Sequence, residues 1–258
     1  MIDLTGYKEL AKLNVFSILD VEELVGNKKT AYSLLNRLMK KGLVKKIRSN
    51  MYSCVNPATE KVMVSRYQIA CASSKSAYLS HHSAFEFYGL ANQVYYEVYI
   101  SSETRFSEFE FEGIRYKYVA SKLNAGIVEP KNTEGVRVTD LERTVIDSIK
   151  DFEKIGGFEE LLNCLEAVPY LVENKLRKYL ADYALQALYQ KTGFILEHYM
   201  QDMQLSEEFI DYCKSKIGKS TRYLLKERSE DNFYNNEWKL VVPEYLFNIT
   251  EQGGGELV

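Results

Sequence analysis

Between Asn27 and Lys41, Ala31, Leu34, Leu35 and Leu38 form an apolar stripe at i, i+3, i+4 and i+7, while Lys29, Ser33, Asn36, Arg37 and Lys40 gather on the opposite side. That stripe predicts an amphipathic helix from Lys28 to about Lys41, N-capped by Asn27, with one face packed and the other open to a partner. Upstream, Asp20 and Glu23 have capping-box spacing and predict a short helix over Val21–Val25, which Gly26-Asn27 turns into the next. Downstream, Gly42 stops the second helix, and LVKKIRSNMYSCV reads as two short strands joined at Ser49-Asn50. Asn50 suits that turn because Asn is among the few non-glycine residues that tolerate positive φ. Two helices at helix-turn-helix spacing followed by a hairpin predict a winged helix-turn-helix over residues 1–57.

The pattern changes near Asn56-Pro57, where a domain boundary is expected. Residues 58–92 read as helical, with Tyr67, Ala70, Cys71 and Ala77 or Tyr78 along an apolar face, ahead of strands. In EFEFEGIRYKY a two-residue turn at Glu112-Gly113 sets Phe111 across from Ile114 and Phe109 across from Tyr116. The other face then pairs Glu110 with Arg115 and Glu108 with Lys117, so both faces predict the same hairpin register. From Thr139 the period is helical again: Thr139 and Glu142 have capping-box spacing, and Leu141, Val145, Ile149 and Phe152 follow as a stripe. Gly156-Gly157 breaks that helix, further amphipathic stretches cover about 158–167, 171–191 and 194–216, and strand-like RYLL and WKLVV precede the tail GGGELV. The expected fold class is α+β: a winged helix-turn-helix followed by a larger body, 58–258, mixed α/β over 58–139 and mainly helical over 140–258.

Charge says what the open face of the second helix is for. From Asn27 to Thr59 there are eight basic residues, Lys28, Lys29, Arg37, Lys40, Lys41, Lys45, Lys46 and Arg48, and no acidic one. The whole chain has a formal charge of −3, so the other 225 of its 258 residues sum to −11. A basic module on an acidic body is the electrostatic footprint of a protein that grips a polyanion with one end. A solvated surface helix would also be basic outside, but the conjunction of capped helix, glycine turn, basic helix and basic hairpin favours double-stranded DNA. Single-stranded RNA is disfavoured because only Tyr32 and Tyr52 are available here to stack on bases. Lys29, Thr30, Ser33 and Asn36, with Tyr32 beside them, are expected to approach base edges, and Lys28, Arg37, Lys45, Lys46 and Arg48 to meet phosphates. Lys40 and Asn50 complete the expected DNA-binding set.

Little else in the sequence carries chemistry. Gly218-Lys219-Ser220 imitates the end of a phosphate-cradling loop, yet the first required glycine position holds Cys213 and the preceding segment reads as helix. His81 and His82 with Glu86 sketch part of a metal site, but the chain has only three histidines. Glu159-Glu160 and Glu207-Glu208 read as solvated faces. No catalytic residue, metal or cofactor is therefore expected, and the chain is not expected to be an enzyme. Four cysteines without a CxxC pair suggest reduced core thiols. No apolar run approaches the ~18 residues of a membrane span and MIDLTGYKEL is unlike a signal peptide, so a cytoplasmic protein with no membrane partner is expected.

The order of these segments, a short winged helix, SHHSAFEFYGL, a strand pair, VRVTDLERTVIDSI and YALQALYQKTGFILEHY, resembles the AbiEi-like antitoxins and transcriptional regulators of type IV toxin-antitoxin systems. The resemblance covers nearly the whole chain and is anchored at Ser80–Leu90 and Val138–Ile146, where Glu142-Arg143 matches a Glu-Arg at a helix start. The wing departs from it at Asn50, where many relatives have Gly. The resemblance implies an antitoxin that represses its own operon by binding operator repeats. It also implies that the larger domain counteracts a nucleotidyltransferase toxin, with no stable complex required. The toxin's own signature, Gly-Ser followed by Asp-x-Asp, is absent from this chain. The alternative is a winged-helix regulator whose body senses a ligand or oligomerises, without a cognate toxin.

Overall fold

Three helices and a hairpin fill residues 4–54 of the computed structural model, which describes residues 4–225 and 231–246. After α1 (Leu4–Leu10), α2 spans Ile18–Val25 and α3 spans Lys28–Lys40. Helix α2 starts three residues before the predicted position because Ser17, rather than Asp20, is its N-cap. The Ser17 hydroxyl accepts from the Leu19 and Asp20 amides, and Asp20 accepts from the Ser17 amide at 2.6 Å. Asp20 thus closes the box from its third helical position instead of opening it. Gly26, at φ 73°, ends α2, and the Asn27 carboxamide accepts from the Lys29 and Thr30 amides at 2.9 and 3.2 Å, which starts α3 as expected. Strands β1 (Val44–Arg48) and β2 (Met51–Cys54) pair antiparallel with a bulge between Lys46 and Arg48. The buried stripe Ala31, Leu34, Leu35 and Leu38 packs on Leu10, Phe16, Val21 and Tyr52 in one core.

The hairpin belongs to a second core as well. Ile47 and Met51 are buried among Val64, Ile69, Leu79, Ile100, Phe106, Tyr116 and Val138. The boundary expected at Asn56-Pro57 falls inside a tight turn: the Asn56 carbonyl accepts from the Thr59 and Glu60 amides, and Met63 donates back to Cys54 at 2.9 Å. Among the described residues, those up to Tyr88 together with Gln93–Asp140 form one compact unit, and Gly89–Asn92 with those from Leu141 onward form another.

Residues 58–92 are not one helical stretch. Helix α4 covers only Arg66–Cys71, opened by a Ser65/Gln68 capping box; β3 (Tyr78–Leu79) and α5 (His82–Phe87) follow. The apolar run at 77–79 is a buried central strand, and a strand buried on both faces shows no alternation to distinguish it from helix. Strands β4 (Glu97–Ser102), β5 (Phe109–Phe111), β6 (Ile114–Ala120), β7 (Ile127–Val128) and β8 (Val138–Thr139) join β3 in a six-stranded mixed sheet, ordered β5-β6-β4-β3-β8-β7. The β5–β6 hairpin has the predicted register, Phe109 opposite Tyr116, Glu110 opposite Arg115 and Phe111 opposite Ile114. Its turn residues Glu112 and Gly113 both have positive φ, 48° and 78°. Lys117, expected opposite Glu108, instead pairs with Glu97 of the parallel neighbour β4 at 2.8 Å.

The second unit is mainly helical: α6 (Leu141–Lys150), a 3-10 turn (Phe152–Lys154), α7 (Phe158–Glu166), α8 (Glu173–Tyr183), α9 (Gln186–His198) and α10 (Glu207–Ser215). The predicted 171–191 helix is broken at Ala184, which takes φ 50°, and the predicted 194–216 helix is broken between 198 and 207. Thr139 is not the cap of α6: it lies in β8 and its hydroxyl reaches the Leu79 carbonyl. Glu142 caps a different helix, accepting from the Val172 amide at 3.0 Å and from Lys175. Strands β9 (Arg222–Tyr223), β10 (Asn232–Asn235) and β11 (Leu240–Pro243) form a small mixed sheet. It is fastened to α9 where fully buried Trp238 lies over Gly193 and donates to Glu197 at 2.7 Å. The tail GGGELV lies outside the described residues. Among the described residues no helix is long and apolar enough to cross a membrane.

Candidate nucleic-acid interface

Helix α3 presents every polar residue selected from the sequence. Lys28, Lys29, Thr30, Tyr32, Ser33, Asn36, Arg37 and Lys40 are all exposed, while Ala31, Leu34, Leu35 and Leu38 are buried. On the helical wheel, Lys29, Ser33, Asn36 and Lys40 fall within about 30° of the pole opposite the buried stripe. Thr30 and Arg37 flank them on one side and Tyr32 on the other, with Lys28 nearer the packed edge. The result is a central row of amide, hydroxyl and ammonium groups bordered by an aromatic ring and a guanidinium. Such a row can donate to and accept from base edges at its centre and meet phosphates at its margins.

The hairpin contributes unequally. Lys46 is exposed on β1. Lys45 is also exposed, but its ammonium contacts Glu112 of the β5–β6 turn at 2.7 Å, a carboxylate 67 residues away that no local pattern foretells. Arg48 is half-buried: its guanidinium donates to the carbonyls of Ser73 (3.1 Å) and Ser107 (3.4 Å) and lies over the rings of Phe106 and Phe109, 5.6 and 5.0 Å from their centroids. Burial pushes its pKa down, and among the described residues no carboxylate compensates it. Asn50, at φ 55°, accepts the Ile18 amide at 2.9 Å and so pins the hairpin tip to the first turn of α2. Its carboxamide therefore has a structural task at the position chosen for DNA contact.

The other clusters considered for chemistry are structural in their geometry. Glu86 pairs with Arg66 at 3.0 Å, and burial raises its pKa against that pairing; His82 is buried and stacked on Tyr95. Among the described residues no group of three or more His, Cys, Asp or Glu is placed to hold a metal ion. Arg143 forms a buried pair with Asp147 at 2.8 Å, completed by the Tyr183 hydroxyl, which accounts for the conspicuous charges of the LERTVID stretch as internal ties. Gly218-Lys219-Ser220 follows α10 and leads into a strand, so no helix N-terminus stands behind it as a phosphate-cradling loop requires. All four cysteines are buried free thiols; burial raises those of Cys54, Cys164 and Cys213 to about 12 and makes them poor nucleophiles.

No protein-family model and no curated protein matches the chain. Among solved structures it is similar to the RV2827C protein from Mycobacterium tuberculosis, with a TM-score of 0.68 over 96% of this chain and 93% of that one, at 14% sequence identity. A likeness at that identity concerns the fold alone.

Proposed function

We propose that the first three helices and hairpin act as a winged helix-turn-helix that binds double-stranded operator DNA, and that the chain is an autorepressing antitoxin of a type IV toxin-antitoxin system. The observation that carries the DNA reading is the outward face of α3, where exposed Lys29, Ser33, Asn36 and Lys40 stand together in a 33-residue segment without a single carboxylate. Helix α3 is the reading element, with Lys46 and the flanking α3 cations on the phosphates. The antitoxin part rests on the resemblance carried by Ser80–Leu90 and Val138–Ile146. It implies repeated half-sites ahead of the operon and a nucleotidyltransferase toxin as functional partner.

Binding to duplex DNA of the upstream region, followed by fluorescence anisotropy across a salt series, tests the first claim. If about four phosphates are neutralised per protomer, log K should fall against log salt with a slope near −3.6. A slope near zero would sink it. Co-expression with the product of an adjoining nucleotidyltransferase gene tests the second, the expected result being restored growth. A second reading, a regulator whose body senses a small molecule, is favoured by one observation. A cleft of about 390 Å³ in the second unit is lined by Lys150, Phe152, Phe158, Lys191 and Tyr245. Absence of an adjoining toxin gene would select that reading.

A further inference from the structure

Where the hairpin tip meets the body, the surface opens into a cleft of about 530 Å³. Arg48 and Ser49 line it from the hairpin; Thr104, Arg105 and Ser107 line it from the loop between β4 and β5. The only carboxylate in the lining is exposed Glu108, one of whose oxygens accepts from the Tyr118 amide at 3.3 Å, so the lining carries two guanidinium charges against one carboxylate. Arg48 is held in place by two carbonyls and two aromatic rings, which fixes its plane and leaves the remaining guanidinium N–H groups of its five unspent. Arg105 is exposed and has no ion pair among the described residues. Two guanidiniums without carboxylate partners, one of them pre-oriented, amid hydroxyls, are complementary to a tetrahedral oxyanion.

We infer that this cleft is a phosphate subsite for the same duplex that α3 engages, so that the DNA footprint continues past the hairpin onto residues 104–107 of the body. The inference rests on the DNA reading above and adds to it. The cleft and the proposed interface share the hairpin itself: Lys46 lies on β1, and Arg48 and Ser49 follow it directly into the cleft. A strand whose phosphates follow the hairpin reaches the cleft next. Arg105 lies outside the basic segment and is followed within three residues by an acid, so its local context does not mark it as a phosphate contact.

The test uses the full chain and a mixed-sequence duplex, with binding measured over a salt series for the parent, Arg105→Ala, Arg105→Lys and Ser107→Glu. Loss of one phosphate contact should flatten the slope of log K against log salt by about 0.9 and weaken binding about fivefold at ~0.15 M salt. Arg105→Ala should show that change; Arg105→Lys should keep the parent slope, and Ser107→Glu should weaken binding at least as much as Arg105→Ala. Equal thermal midpoints establish that the variants are folded, since both positions are exposed. A steep parent slope that Arg105→Ala leaves unchanged overturns the cleft proposal while the DNA reading stands. A weaker Arg105→Ala complex with the parent's slope overturns it too, because a lost phosphate contact must change the slope. A flat parent slope overturns both.

Discussion

Cutting the chain at Ala58, where the charge changes sign, should damage the part that remains. The fragment 58–258 loses Ile47 and Met51, each 5% exposed and packed in the core of the six-stranded sheet. Burial of an aliphatic side chain of that size is worth about 1.5–3 kcal/mol, so their removal costs about 3–6 kcal/mol and leaves apolar surface facing water. The exposed Lys45–Glu112 pair adds at most about 1 kcal/mol. Set against a typical total of 5–15 kcal/mol, that loss consumes a large part of the unit's stability. At roughly 2–4 °C per kcal/mol, the first thermal transition of the fragment should fall by about 6–24 °C relative to the parent. The fragment should also bind a hydrophobic dye that the parent does not. Calorimetry and dye fluorescence on the two purified proteins decide it. A fragment melting with the parent and binding no dye would show that the hairpin is no part of the body's core. The proposed repression and the proposed toxin rescue are therefore better separated in the full chain, by Lys29→Ala with Lys40→Ala and Lys46→Ala. Those exposed positions should abolish operator binding with the thermal midpoint kept.

Lys46→Ala should flatten the salt slope by about 0.9 without changing sequence preference, and Lys45→Ala should flatten it less, because Glu112 already neutralises that ammonium. Asn36→Ala should instead relax discrimination at one base pair by about 1–3 kcal/mol in a competition assay; an unchanged preference removes Asn36 from the readers. Gly113→Val should lower the thermal midpoint by forcing a β-branched residue to φ 78°, although nothing lies within 4 Å of the added Cβ. Its cost is backbone strain of about 1–2 kcal/mol, so an unchanged midpoint would refute the turn assignment. Gly193→Ala would put a Cβ 2.1 Å from the Trp238 ring and should destabilise by about 1–3 kcal/mol. Trp238 is the sole tryptophan, so red-shifted emission should accompany the lowered midpoint.

What was legible in the sequence was whatever a local rule over-determines. The β5–β6 register emerged because two faces had to agree at once, and α3 emerged because a cap and an apolar stripe specify the same start. Local rules failed where two solutions satisfy the same groups. Ser17-x-x-Asp20 and Asp20-x-x-Glu23 both have capping-box spacing, and in the structure Ser17 takes the cap while Asp20 answers it from the third helical position. Thr139 and Glu142 have the right spacing, but a β-sheet claimed the one and the Val172 amide the other. Ala184 breaks a helix with neither Gly nor Pro to announce it.

The fused hairpin is the most instructive of these cases. Charge segregation is a property of exposed side chains, whereas cooperativity between segments is a property of buried ones, and the two need not change at the same residue. In β1 the exposed Lys45 and Lys46 mark the hairpin as part of the basic module, while Ile47, the next residue, is buried in the core of the body. The order along β1 is no plain alternation, since Val44 and Ile47 are buried and Lys45 and Lys46 exposed; the bulge between Lys46 and Arg48 re-aims the chain there, so one strand can serve both a polyanion and a neighbouring core. It follows that the position of the proposed reading helix is set by the body as well as by the first core. Weakening that contact, as in Ile47→Ala, should alter operator affinity through geometry without removing a single charge.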